Sequence, residues 1–350
     1  MRAFYWLRQA SVVTMLGLAM IFLSGCSTVN RIGANVGLRF TENNIIPPIL
    51  SDDDVQMACI NGQALAPVIY AVGPAGLGAN NDQLSVLLYS TAALCSEQAA
   101  LESELRYLRA SRANQVEEAT DARTEQKRWA ELAARRQFRA YQSFEHYYEH
   151  EYSIKIGDKC PKFSSDFDEL VFMLGAITGI QAVVNDINSQ NAVGVPKDIA
   201  AKVERAMACL DNDKWWGVPR GVRAAVWNLL PGAGAGEDPW ATMKDSMRIG
   251  ERKGVRLAFA LYTMSAYAKA DDARLRDSLK MFAATYDNPD FKINPHFKMF
   301  DKFGELVIMG ISDRYWTEHT GSRTPAGSLG HFWDENQVDP NSGVKIDDLL

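Results

Sequence analysis

The stretch His146-Tyr147-Tyr148-Glu149-His150 has the spacing most suggestive of chemistry in this chain. Two imidazoles four residues apart share one face of a helix and can bind a zinc ion, and the glutamate beside the second can activate water for attack on a peptide bond. A complete centre needs a third ligand, and no downstream glutamate stands out as one. Glu145, Glu149 and Glu151 also read more simply as charges that solvate a helix end. The other histidines in the chain's second half, His296, His319 and His331, have no serine or cysteine marked as their nucleophile, and there is no Gly-x-Ser-x-Gly elbow. Gly232-Ala233-Gly234-Ala235-Gly236 precedes a helix as a phosphate loop does, but lacks the Lys-Ser or Lys-Thr that would follow. Glu237 and Asp238 put negative charge where the phosphate would sit. Trp215, Trp216, Trp227 and Trp240 crowd one turn-rich region, where they would either line a groove for an apolar or ring-bearing ligand or pack at helix corners. Taken together, these residues point to a binding protein that needs no cofactor. A zinc metallopeptidase using His146, Glu149 and His150 is one alternative, and a purely structural envelope protein with no ligand is the other.

Leu23-Ser24-Gly25-Cys26 follows a run that is apolar from residue 10 to 22 behind Arg2 and Arg8. A positive start, a short apolar middle and a small-residue cleavage site make a secretory signal, residues 1–25. The cysteine resembles that of the bacterial lipobox, whose thiol receives a diacylglycerol and which becomes the acylated first residue of the mature chain. The resemblance implies lipidation at Cys26 and a membrane anchor without a membrane span, because several acyl chains at one point give stable attachment. Ser27 follows in place of the aspartate associated with inner-membrane retention. The implied location is the periplasmic face of a bacterial outer membrane. An ordinary signal peptide with a chance cysteine is the alternative.

Cys59, Cys95, Cys160 and Cys209 remain, an even number in a compartment that permits disulfides. In a chain of helical hairpins, Cys59 and Cys95 stand at one level about the glycine-rich turn at 73–78, and Cys160 and Cys209 stand level about the 189–196 loop. These are the favoured pairs; four buried thiols are the alternative.

With 47% hydrophobic and 23% charged residues over 350 positions, the chain is globular and long enough for a full core. Its formal net charge is -6, and removing the leader takes away two arginines and no acid. This balance argues against nucleic acid or anionic lipid as the main partner. Residues 170–184 are apolar but shorter than a bilayer span and carry Gln181, so they read as a buried helix in which Gly175 and Gly179 let a neighbour approach closely.

The elements that must position these residues are helical almost throughout. Residues 26–51 read as a lipidated tether broken by Pro47-Pro48, and residues 52–318 as one helical domain. Asp52 or Asp53 caps the first long helix, and Asp82 caps the next. Ser164 or Ser165, Pro196, Pro219, Asp238-Pro239, Asp272 and Asn294-Pro295 open later ones, and Gly254 closes one of them. No segment of comparable length alternates with period two. The fold class is all-α, with antiparallel helix pairs in a tetratricopeptide-like solenoid or a bundle. Residues 97–139 are crowded with balanced charge and predict a projecting helical arm with a hinge near 111–114. The stripe Phe138, Tyr141, Tyr148 and Tyr152 returns that arm to the core. Residues 319–350 read as a tail, which His331-Phe332-Trp333 either pins to the body or offers for recognition.

The order of these features resembles the T-component lipoproteins of tripartite (TRAP) solute transporters, the TatT-like family. The resemblance lies in the lipobox, the Asp52-Asp53-Asp54 helix with Ala64-Leu65-Ala66-Pro67, the apolar helix at 84–93, and the basic-aromatic helix at 136–148. It continues through the Gly-Ala-Ile helix at 167–180 and the helix pair at 262–282. The charged arm, the tryptophan region and the missing repeat consensus depart from that pattern. The resemblance implies a tetratricopeptide-like helical scaffold at the membrane whose partner is a periplasmic solute-binding protein or a small apolar ligand. It also leaves room for a homo-oligomer.

Overall fold

The computed structural model describes residues 37–72, 80–230 and 232–335. The lipobox at Cys26, the glycine-rich turn and the end of the tail lie outside them. Among the described residues the chain is helical and has no strand. A π-helical turn, Thr41–Ile45, leads into α1 (Ile46–Ser51), α2 (Val55–Val72), α3 (Asp82–Arg112), α4 (Val116–Glu151) and α5 (Asp166–Asn188). Then follow α6 (Ile199–Met207), α7 (Val218–Leu229), α8 (Pro239–Lys253), α9 (Leu257–Ala268), α10 (Asp272–Asp287) and α11 (Lys298–Thr320).

The helix starts follow from local chemistry. Asp54 Oδ1 accepts from the Met57 amide at 2.8 Å, so Asp54 caps α2, while Asp52 binds the amides of Asp53 and Asp54 just upstream. Ser165 accepts from the Asp168 amide, and Asp238 accepts from the amides of Trp240 and Ala241 with Pro239 in the first turn. Gly254 ends α8 in the left-handed conformation.

Five sequence expectations shift, each for a visible reason, the first being that Asp54 rather than Asp52 or Asp53 caps α2. Residues 37–51 are not a bare tether, because Leu38 and Ile46 are buried in the main core and Pro47-Pro48 occupy the first turn of α1. Asp82 lies inside α3 rather than capping it, and its carboxylate turns to His146. Pro196 precedes α6 without opening it, since Asp186 holds the amides of Val193 and Val195 and keeps the chain in a loop up to that point. Asn294 does not cap α11; its amide donates to the Gly254 carbonyl at 2.9 Å, which ties the incoming chain to the end of α8.

Helices α2 to α5 pack as successive antiparallel neighbours. Helix α5 is long and apolar enough to cross a membrane by composition alone, yet most of its surface is buried inside the fold. It runs through the main core against α4, where Tyr141, Phe144 and Tyr148 are fully buried. A Cβ at Gly175 would stand 2.7 Å from the Phe144 ring, and one at Gly179 would stand 2.3 Å from the Tyr141 ring. Those two glycines therefore set the spacing of the helices, because closely packed interiors have no room for the added methyl. Cys59 and Cys95 join α2 to α3 with Cα atoms 5.7 Å apart, and Cys160 and Cys209 join the loops flanking α5 and α6 at 5.2 Å. Both are the pairs that hairpin levelling favours.

In the second half α9 is the hub, packed by α7, α8, α10 and α11. Helix α11 then returns to α1, α2 and α3, so the array closes on itself through contacts distant in sequence. The closure is held by Arg256, which is buried at the start of α9. Its backbone amide and Nε both donate to Asp301 Oδ1, at 2.8 and 2.9 Å, and Nη2 donates to Asp301 Oδ2 at 2.6 Å. Nη1 donates to Thr285 Oγ1 at 2.7 Å. The guanidinium lies over the rings of Phe282, Tyr286 and Phe291. Burial opposes the cation, but the bonds to Asp301 and its negative charge prevail and raise the Arg256 pKa.

The long arm is two antiparallel helices, the ends of α3 and α4, turning at residues 113–115. Arg106 pairs with Glu118, Asp121 and Glu125 across the turn. Its α3 side is tied to the body, since Arg314 on α11 pairs with Glu104 at 2.7 Å and Arg323 pairs with Glu102. The aromatic end of the tail is also pinned down. Phe332 is buried, and Arg276 and Lys280 on α10 hold Asp334 and Glu335.

Removing one partner of a buried ion pair leaves an uncompensated charge, which costs about 3–5 kcal/mol. Asp301→Ala is therefore expected to lose about that much in urea unfolding. Arg256→Met combined with Asp301→Leu is expected to lose clearly less. Equal losses would mean that the cation itself is not what the carboxylate supports.

Candidate functional site

The His-x-x-Glu-His stretch lies on the last turns of α4, with the two imidazoles on one face and their ring centres 4.6 Å apart. Their partners are those of a helix end. His146 Nδ1 is 2.6 Å from Asp82 Oδ2 on α3. Glu149 turns away from the pair to meet Lys155 Nζ at 2.5 Å and to accept from the Ile156 amide. Among the described residues no three His, Cys, Asp or Glu side chains converge as metal ligands. In the structure His146, Glu149 and His150 thus take part in a helix-end arrangement, in which Glu149 fixes the chain leaving α4 and Asp82 engages one imidazole of the pair.

The tryptophans do not form one groove. Trp215 and Trp216 belong to the main core, whereas Trp227 and Trp240 belong to the core around α9. Trp215 donates from Nε1 to Glu169 Oε2 at 2.7 Å, and Trp227 donates to Glu204 Oε1 at 2.8 Å. Trp216 packs against Phe297 and Phe300, with ring centres 4.7 and 5.4 Å away. Trp240 meets Tyr262 on one side and Arg274 on the other. Each indole is thus spent on helix packing, and glutamates on α5 and α6 accept the N–H groups of Trp215 and Trp227. The glycine-rich connection at 232–236 folds over Trp227, with Gly234 against its ring.

Sequence reasoning missed the polar groups that organise the interior. The fully buried Asp168 accepts from Gln83 on α3, from Tyr152 at the end of α4 and from the amide and hydroxyl of Ser164. Tyr148 donates to the Asp168 carbonyl at 2.6 Å. Burial, reinforced by Asp168, pushes Tyr148 far above its ordinary pKa and Tyr152 up to about 12, so both stay neutral donors. Asp186, also buried, binds three successive amides of the loop after α5. Glu97 on α3 accepts from Gln137 on α4 at 2.8 Å and from Asn185 on α5 at 2.7 Å, while Asn185 also donates to Gln137. Acids in the first turn of a helix or amid charge runs look like solvated residues in sequence. Only the polar Asn185 and Asp186 near the end of an apolar helix hinted otherwise.

Two surface depressions accompany these elements, each of about 460–470 Å³. One lies at the arm turn beside Tyr107, Val116, Arg123 and Lys127, and the other below α4 beside His150, Lys155 and Lys159. Both are open and of mixed polarity, unlike an enclosed, mostly apolar ligand pocket.

Burial raises the pKa of Glu97 in spite of its two amide donors and the nearby Arg314. Folding therefore takes up a proton between the ordinary glutamate pKa and the raised one, and stability falls as pH rises through that window. Glu97→Gln keeps the acceptor oxygen without the charge. Thermal unfolding should show this variant more stable than the parent at neutral pH, with the difference vanishing at about pH 4. A variant less stable at neutral pH would show that the carboxylate's charge supports the network. For the histidine pair, elemental analysis of protein purified without chelator should find zinc far below one per chain, and stoichiometric zinc would reopen metal chemistry. Comparison with protein-family models, curated proteins and solved structures finds no match to this chain.

Proposed function

We propose that this chain is a lipid-anchored helical protein of the periplasmic face of the outer membrane, serving as a binding or scaffold module rather than an enzyme. The observation that carries this reading is the division of the cysteines. Cys59, Cys95, Cys160 and Cys209 stand in two pairs at disulfide distance, as suits an oxidising compartment, and Cys26 sits in the lipobox-like Leu-Ser-Gly-Cys. The engagement of His146 by Asp82 and of Glu149 by Lys155 supports a role in binding over one in peptide hydrolysis. Burial of Trp215, Trp216 and Trp227 favours a protein partner over a small apolar ligand. The resemblance to TRAP-transporter T components makes a periplasmic solute-binding protein the partner to test, and the charged α3–α4 arm the surface to test it on.

Mass spectrometry of the protein isolated from bacterial membranes is expected to show an N-terminal peptide that starts at Cys26 and carries a diacylglyceryl group and an amide-linked acyl chain. An uncut leader or an unmodified Cys26 would overturn the anchor. Crosslinking in intact cells followed by co-purification is expected to recover a solute-binding protein or transporter component. Its absence would remove the transport role and leave the scaffold.

A further inference from the structure

Helix α2 is unlike any other long helix in this fold. Over its eighteen residues, Val55–Val72, it has no Asp, Glu, Lys or Arg. Its inner face, with Val55, Ala58, Cys59, Gly62 and Ala66, is buried against the body. Its outer face carries an apolar stripe edged by the amides of Gln56, Asn61 and Gln63. Met57, Ile60, Ala64, Val68 and Ala71 recur at helical spacing on the opposite side, with Met57 49% exposed, Ile60 48% and Val68 61%. Leu65 flanks this stripe, and just upstream Phe40 and Ile45 are exposed too. A water-facing helix normally carries charge on its outer face, and a contiguous apolar stripe there marks a contact surface. The other uncharged long helix, α9, needs no such partner, because it is enclosed by four neighbours.

The position of this stripe in the chain identifies its occupant. Gly37, the first described residue, lies eleven residues after Cys26. Even fully extended, that stretch reaches no more than roughly 40 Å. An anchor at Cys26 therefore keeps the start of the body within that distance of a bilayer, and α1 and α2 follow directly from it. The charges near the stripe fit a neutral lipid surface. Exposed charges of both signs flank it, with Asp52, Asp53 and Asp54 at the N-terminal end of α2 and the Arg139 guanidinium of α4 over the Tyr70 ring near the other end, and none lies on the stripe itself to select anionic headgroups.

We infer that the exposed face of α2 lies on the membrane that holds the Cys26 anchor, with Met57, Ile60 and Val68 entering its interfacial region. The inference rests on the anchor proposed above. Tethering by acyl chains alone would let the body swing at the end of its linker. An apolar face against the same bilayer gives the body one orientation, by burying surface in the manner of an interfacial amphipathic helix.

Site-specific photocrosslinking tests this directly. The acylated full-length protein, carrying a benzophenone amino acid at Val68, is reconstituted in phosphatidylethanolamine and phosphatidylcholine vesicles whose headgroup phosphate is radiolabelled. The acyl anchor carries no phosphate, so label on the protein reports contact at the probe alone. A matched protein carries the probe at Ile187, which is equally exposed but lies at the far end of α5. Strong labelling at Val68 and background labelling at Ile187 are expected. Background labelling at both, in protein that floats with the vesicles and has an acylated Cys26 peptide, would overturn the membrane contact and leave the anchor standing. A crosslinked dimer at Val68 would assign the face to a second copy and also overturn it. An unmodified Cys26 peptide would remove the anchor and this inference together.

Discussion

The buried pair of Arg256 and Asp301 is the constraint on which the closed form of this fold depends. Taking either charge out of water costs several kcal/mol, and the pair is tolerable only when nearly every donor and acceptor is satisfied at once. Here that requires the first turn of α9 to present Arg256, α10 to present Thr285 and Phe282, and α11 to present Asp301 in register. None of the three helices can settle without the other two. Once α11 is fixed in this way, Gly304 lies against the backbone of Leu257, and the rest of α11 is carried across to α1, α2 and α3. An array in which helices meet only their chain neighbours would remain open. This one is closed by a charge that has a single place to go.

The first half solves the same problem by different means. The two glycines of α5 bring its backbone against Tyr141 and Phe144, so the α4–α5 contact is set by shape. Three carboxylates then fix what shape leaves loose. Asp168 joins the start of α5 to α3 and α4, Glu97 joins the middles of α3 and α4 to the end of α5, and Asp186 holds the loop that turns towards α6. Each accepts several donors in a setting of low dielectric, where a satisfied network is rigid and a broken one is costly. The cysteine pairs add covalent limits at α2–α3 and around α5–α6, where loops of several tens of residues would otherwise be loose in the unfolded chain.

Local chemistry was readable from the sequence where a single residue decides the outcome. Ser165, Asp238-Pro239 and Gly254 mark helix ends because capping depends on near neighbours, and the level of Cys59 with Cys95 follows from hairpin geometry. Gly175 and Gly179 announced close packing because two small residues in an apolar helix have little other use. Arg256 was invisible, since in Glu251-Arg252-Lys253-Gly254-Val255-Arg256 it looks like one more surface cation, and Asp301 sits in a similarly charged stretch. Phe144 was legible but overlooked, as it lies three residues after Tyr141 and four before Tyr148 on the same stripe. The tryptophans misled because nearness in sequence suggested a shared groove. The acids that receive the N–H groups of Trp215 and Trp227, Glu169 and Glu204, lie 46 and 23 residues upstream on α5 and α6, and those pairings exist only in the folded chain.

The consequence for function is that the groups with chemical potential are already employed. His146 faces Asp82, Glu149 faces Lys155, and Asp168 and Glu97 are bound by donors from neighbouring helices, so each supports the position of another element. What the fold leaves available is surface, of two contrasting kinds. The outer stripe of α2 is uncharged and suits a lipid interface, while the α3–α4 arm carries alternating charges and suits a partner in water. The two are mechanically joined, because Cys59–Cys95 fixes α2 to the same helix that forms one side of the arm. Any orientation imposed on α2 is therefore passed to the arm without a hinge between them. On the proposed membrane contact, a helical body of this construction would convert attachment at α2 into a defined direction at the arm.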